Sequence, residues 1–180
     1  MHPTREQSAI CNPQSAIALV ALGSNLGDSA ANVHAAMVRL AHLSSVPILK
    51  SSLWSSTPVD CPPGSPMFVN AVVGLVPREG ETPESLLAKL QEIEREFGRA
   101  PKVVMNEPRT LDLDLIAFGN EVRSTPSLTL PHPRAHLRRF VLEPLFEIAP
   151  GLVLPGEGKP VSGLLGELRT GERLVRLQAL

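Results

Sequence analysis

Asp112 and Asp114 flank a single leucine in the run Leu111-Asp112-Leu113-Asp114-Leu115. On an extended strand this spacing puts both carboxylates on one face, about 7 Å apart. Two adjacent anionic carboxylates repel unless they are protonated or bridged by cations, and a pair of hard oxygen ligands that leaves room for water and phosphate suits Mg²⁺. The same alternation also describes a half-exposed strand whose polar face meets water, so spacing alone leaves both readings open.

The neighbouring residues add cations. Arg99, Lys102 and Arg109 precede the pair, and His132, Arg134, Arg138 and Arg139 follow it. Cationic groups within reach of a metal-bearing carboxylate pair are what is needed to hold a polyphosphate and neutralise its developing charge. Each arginine alone reads as a solvated surface charge, and only the set points to an anion.

Other chemistries lack their motifs. No G-x-x-x-x-G-K-[ST] run occurs, and Gly23-Ser24-Asn25-Leu26-Gly27-Asp28 lacks both the phosphate-binding lysine and the glycine spacing of a dinucleotide fingerprint. His132 and His136 are four apart but have no H-E-x-x-H glutamate or cysteine beside them, which argues against zinc. No serine sits in a G-x-S-x-G elbow.

The elements that position these residues follow from periodicity. Residues 17–22 form a continuous apolar run that stops at Gly23, as in a strand buried on both faces. Val33, Ala36, Met37, Leu40 and Leu43 recur at threes and fours, predicting a helix over about 30–42 capped by Ser29 or Asp28. Residues 48–55 read as a strand, 58–66 as a Pro/Gly-rich loop, and 68–76 as a second apolar strand. Thr82, Pro83 and Glu84 announce a helix whose stripe is Leu86, Leu90, Ile93 and Phe97, and Gly98 ends it. The aperiodic stretch 98–108 leads into the Asp-bearing strand over 111–117. The order β-α-β-β-α-β predicts an α/β (α+β) fold with a ferredoxin-like core, in which both helices cover one face of an antiparallel sheet. C-terminal additions follow: a short helix over 135–142 and an irregular tail over 152–180 with room for short elements.

Composition bounds the remainder. With 180 residues, 43% of them apolar and 19% charged, the chain supports one domain over 16–180 behind a flexible N-terminal tail, 1–15. Seventeen Lys and Arg against eighteen Asp and Glu give no bulk charge for binding nucleic acid. No apolar run approaches the roughly 20 residues of a membrane helix, so no membrane partner is expected. Cys11 and Cys61 show no paired spacing, which fits a reducing, cytoplasmic setting, and a monomer is expected. Eighteen prolines, against a usual share of roughly 5%, give loops a large part in the structure.

Taken together, several segments resemble the 6-hydroxymethyl-7,8-dihydropterin pyrophosphokinase family. They are Gly23-Ser24-Asn25-Leu26, Thr57-Pro58, Phe68-Val69-Asn70-Ala71, the block Pro108-Arg109-Thr110-Leu111-Asp112-Leu113-Asp114-Leu115, and Leu130-Pro131-His132. The likeness runs from about residue 16 to about 155. It implies transfer of pyrophosphate from ATP to the hydroxymethyl group of the reduced pterin, giving AMP, in folate biosynthesis. Asp112 and Asp114 would hold two Mg²⁺, with Arg99 and Arg109 beside them in the catalytic set. The resemblance puts Gln91, Glu94, Arg99, Lys102, Arg109, Leu115, His132 and Arg138 at ATP. It puts Thr57, Pro58, Val59, Phe68, Asn70, Asp112 and Phe140 at the pterin, with two rings sandwiching a flat heterocycle. The stretch 101–107 departs from the family pattern, with Pro101, Met105 and Glu107 in place of more usual residues. A non-catalytic pterin- or nucleotide-binding module with an inactivated loop is therefore the alternative, and an interaction domain without a small ligand is the third reading.

Overall fold

The structure, a computed structural model, describes residues 16–99 and 107–178. The expectations for the 1–15 tail, for Lys102 and for most of the atypical 101–107 loop lie outside them. The first half of the chain runs β1 (Ala18–Ser24), α1 (Ser29–Ala41), β2 (Leu49–Lys50), β3 (Trp54–Ser56), β4 (Phe68–Leu75), α2 (Pro83–Glu96) and β5 (Asp112–Phe118). Strand order β5-β1-β4-β3 with antiparallel pairing is the expected ferredoxin-like arrangement. Beyond it come β6 (Arg123–Ser124), β7 (Thr129–Leu130), a 3-10 turn at Ala135–Leu137, α3 (Arg139–Ile148), α4 (Val161–Glu167) and β8 (Leu174–Arg176).

Local chemistry explains the boundaries. Asp28 accepts the Ala31 N–H at 3.0 Å and starts α1. Thr82 and Ser85 cap each other's backbone at the start of α2. Past its end Gly98 takes φ 81°, a left-handed conformation that favours glycine.

The two faces of the sheet are covered by different parts of the chain. Val20, Leu22, Ala71, Val73, Leu113 and Leu115 point toward α1 and α2 and form the larger core with Leu40, Leu86 and Leu90. Leu19, Ala21, Val72 and Ile116 point the other way, toward Val141, Leu142 and Leu145 of α3 and Val161 of α4. The C-terminal additions are thus a second layer on the face that the core motif leaves open.

Two sequence expectations change. The single strand over 48–55 is two short strands, because Ser51 interrupts the ladder: its hydroxyl accepts the Val72 N–H at 3.0 Å where a strand carbonyl would. The helix over 135–142 is a 3-10 turn and then a longer helix, separated by Arg138 in an extended conformation. The short elements allowed for in the tail over 152–180 are α4 and β8, and β8 extends the sheet beyond β3.

Candidate active site

β5 sets the centre of the site. Its alternation sends Leu113 and Leu115 into the helix-side core and leaves Asp112 and Asp114 on the opposite face, at the strand's open end. Antiparallel pairing puts Asp112 opposite Gly23 and Asp114 opposite Ala21 on β1. Gly23 in turn pairs with Asn70 on β4, so three strands bring the acids and the amide to one floor. A Cβ on Gly23 would stand 3.4 Å from Asn70 Oδ1 and 3.7 Å from the Phe68 ring, so glycine keeps that floor open.

Arginines from three segments converge on the acids. Arg99, just past α2, lies 2.9 Å from Asp112, and Arg109 lies 3.2 Å from its other oxygen. Arg138 reaches to 3.7 Å from Asp114 and lies over the Phe140 ring at 5.3 Å. Arg109 is held through its backbone: its N–H donates to Asn25 Oδ1 at 2.9 Å, and its carbonyl accepts the Asn25 N–H at 3.1 Å. This is the structural use of the Gly-Ser-Asn turn after β1. Among the described residues Arg109 Nε is buried without an acceptor, which fits an anionic ligand.

Glu94 is the buried acid beneath this layer, 5% exposed. It accepts the Leu113 N–H, between the two aspartates, at 2.8 Å and pairs with Arg99. Burial pushes its carboxyl up to about 7, against the Leu113 amide and Arg99, which pull it down. Burial likewise raises the Asp114 carboxyl, and the charge of Asp112 adds to the effect. Burial holds His132 below the ordinary imidazole range, opposed by Asp114. Its Nδ1 accepts the Arg134 N–H at 3.2 Å, which leaves the ring proton on Nε2.

The site opens into a cavity of about 660 Å³. Of the residues expected from sequence, Arg99, Arg109, Asp112, Asp114, Gln91, Glu94, His132 and Arg138 line it, as do Thr57, Val59, Phe68, Asn70 and Phe140. Asn70, 3% exposed, donates to Ser56 Oγ at 2.7 Å. Leu115 does not line it: at 4% exposure it is part of the helix-side core, on the other face of β5. Pro58 is absent from the lining, and Arg139 turns along α3 to Glu143, 3.2 Å away. Sequence reasoning missed Leu87 and Arg95, which line the cavity with Gln91 as one i, i+4 row of α2 beside its apolar stripe. Among the described residues no group of three or more His, Cys, Asp or Glu forms a metal cluster, so the two aspartates stand as a pair.

The fold and this cleft define an α/β protein that gathers cations, two carboxylates, an amide and two aromatic rings around one cavity. Comparison with known proteins narrows the class. The family model for 7,8-dihydro-6-hydroxymethylpterin-pyrophosphokinase (HPPK) matches residues 19–150. A 2-amino-4-hydroxy-6-hydroxymethyldihydropteridine pyrophosphokinase of Haemophilus influenzae is 44% identical over 140 residues, 77% of this chain and 84% of that protein. Its namesake from Synechocystis is 38% identical over 151 residues, 84% of this chain and 75% of that one. The HPPK-DHPS of Plasmodium falciparum, solved with pteroate, superposes with a TM-score of 0.66 at 14% identity over 86% of this chain and 42% of that chain. The chain belongs to the 7,8-dihydro-6-hydroxymethylpterin-pyrophosphokinase family.

Proposed function

We propose that the protein transfers the pyrophosphoryl group of ATP to the hydroxymethyl oxygen of 6-hydroxymethyl-7,8-dihydropterin, a step of folate biosynthesis. The observation that carries the reading is one cleft lined by groups suited to both substrates, Arg99, Arg109, Arg138, Asp112 and Asp114 for phosphate and Asn70, Phe68 and Phe140 for a flat heterocycle. The pterin hydroxymethyl oxygen bonds to the β-phosphorus as the bridge to the α-phosphate breaks, and AMP leaves. Such transfer needs positioning and charge stabilisation more than covalent work by the protein.

The two carboxylates fit Mg²⁺. They are paired on one strand face, the charge of Asp112 adds to the burial that raises the Asp114 carboxyl, and they leave coordination positions for water and phosphate. Two ions held on Asp112 and Asp114 would supply neutralisation of phosphate charge and a template for in-line transfer. Arg99 and Arg109, now paired with Asp112, are the cations that would face phosphate oxygens if the acids held metal ions. Asn70, with its amide donating to Ser56, reads the edge of the heterocycle, and Phe68 and Phe140 cover its faces. Asp112, Asp114 and Arg109 are all in place, which favours the enzyme over an inactivated module. The reading includes a cytoplasmic monomer, and the free thiol of Cys61 suits a reducing compartment.

The test is to incubate the protein with ATP, Mg²⁺ and the dihydropterin and to separate the nucleotides. AMP formed only when pterin is present is the expected result. ADP, or no product from folded protein, overturns the reading.

A further inference from the structure

The chain beyond the family-matched stretch returns to the cleft. β8 pairs with the outer edge of β3, Leu174 opposite Ser56 and Arg176 opposite Trp54. The pairing continues past both ends: the Leu177 N–H donates to the Leu53 carbonyl at 2.8 Å and the Thr57 N–H to the Arg173 carbonyl at 3.1 Å. The Arg173 N–H then donates to Thr57 Oγ1 at 3.2 Å. One residue earlier the segment engages a different wall of the cleft, where the Glu172 carboxylate accepts the Phe140 N–H at 3.1 Å.

Phe140 is the second residue of α3, and Arg138, at the N-cap of that helix, makes no side-chain capping bond. First-turn N–H groups have no acceptor inside their own helix. Glu172 supplies one from 32 positions away, with a negative charge suited to a helix N-terminus. Burial raises its carboxyl, and the amides of Phe140 and Arg139, the Thr170 hydroxyl and the charge of Arg138 pull it down. The outer end of the segment is tied as well: the Arg176 guanidinium donates to Ser52 Oγ at 2.6 and 2.9 Å and to Glu147 at 3.0 Å.

Thr57 and Phe140 both line the cavity, one leading from β3 and the other from the start of α3. Resting on the pterin reading above, we infer that residues 172–176 are a clamp that fixes these two walls relative to each other, with Glu172 the positioning residue for the flat substrate between them. Stacking on a ring tolerates little misplacement, so the clamp acts on substrate affinity through Phe140 without touching the substrate. Arg138 shares the first turn and its contact with Asp114. The main effect falls on the pterin because the reading above puts Thr57 and Phe140, the two residues the clamp holds, against the heterocycle.

The experiment compares wild type, E172A, E172Q and R176A in AMP formation, with pterin and ATP varied separately and a thermal melt of each protein. E172A removes the acceptor and raises the KM for pterin about fivefold, the effect of one lost cap, while the KM for ATP stays within about twofold. E172Q retains an oxygen that can accept the Phe140 N–H and returns the pterin KM to within about twofold of wild type. R176A alters a side chain that is 61% exposed, keeps the fold, and raises the pterin KM about twofold. E172A and R176A proteins with wild-type KM for pterin, or with both KM values raised equally, overturn the clamp. A lowered Tm with unchanged KM does the same, because it shows a purely structural contact. Wild-type protein that makes no AMP overturns the pterin reading and the clamp with it, whereas active wild type with unaltered variants overturns the clamp alone.

Discussion

Glu94→Gln separates the charge of Glu94 from its hydrogen bonding, and the pH dependence of stability reads the result. The carboxyl is buried under the Asp-bearing strand and is pushed up to about 7 by that burial, from an ordinary value of 4.5. Between those values the folded protein keeps a proton that the unfolded chain has lost. The sign follows from linkage: the stability that this group contributes is fully present below about pH 4.5 and is lost as pH rises through about 7. At its limit the loss is about 3 kcal/mol. The carboxamide of the Glu94→Gln protein does not titrate, so the variant should gain up to that amount relative to wild type between about pH 4 and about pH 8. For a domain of this size 1 kcal/mol corresponds to about 2–4 °C, so the gap between the two Tm values should move by about 6–12 °C.

The assay is a set of thermal melts of both proteins at about pH 4, 6 and 8, without nucleotide. A gap that stays constant across the range would overturn this account, for it would mean that Arg99 keeps the carboxylate ionised throughout despite burial. Glu94→Ala is the control. It leaves the Leu113 N–H without its acceptor at 2.8 Å and should cost about 1–3 kcal/mol at every pH, before any cavity term.

The remaining predictions distinguish chemistry from packing. Asp114→Asn removes one of two repelling carboxylates, so Tm should hold or rise while Mg²⁺-dependent AMP formation falls about 10²-fold or more, measured by nucleotide separation. Arg109→Ala keeps the backbone pair with Asn25 and loses only the guanidinium at Asp112, so kcat/KM should fall about 10²-fold with the fold retained. Leu115→Ala should do the reverse: a core residue at 4% exposure, it should cost about 2–5 kcal/mol in denaturant unfolding and leave the KM for ATP unchanged.

Sequence periodicity reached the part of the site that strands and helices impose. The Leu-Asp-Leu-Asp-Leu run has one reading as a strand, and pairing with β1 turns it into two carboxylates on a shared floor. The helix-stripe residues Leu86, Leu90 and Ile93 are buried as their spacing requires. Local rules failed where a side chain replaced a backbone group. Ser51 accepts a ladder hydrogen bond through its hydroxyl and splits a strand that reads as continuous. Glu172 caps a helix 32 positions away, and no window along the chain contains both partners.

Glu94 shows what pattern contains and what it withholds. It stands four residues after Leu90 on the buried side of α2, so an acid in the apolar row was visible in the sequence. A buried carboxylate without partners costs several kcal/mol or takes up a proton, so burial alone demands that something meet it. The partners are the Leu113 amide, 19 positions on, and Arg99, five positions on. Only the second is local. The first requires that α2 pack against β5, which the strand order β5-β1-β4-β3 establishes and spacing along the chain does not. The demand is thus written in the helix and its satisfaction in the topology, and the result is a single carboxylate that ties an arginine of the anion site to the backbone between the two aspartates.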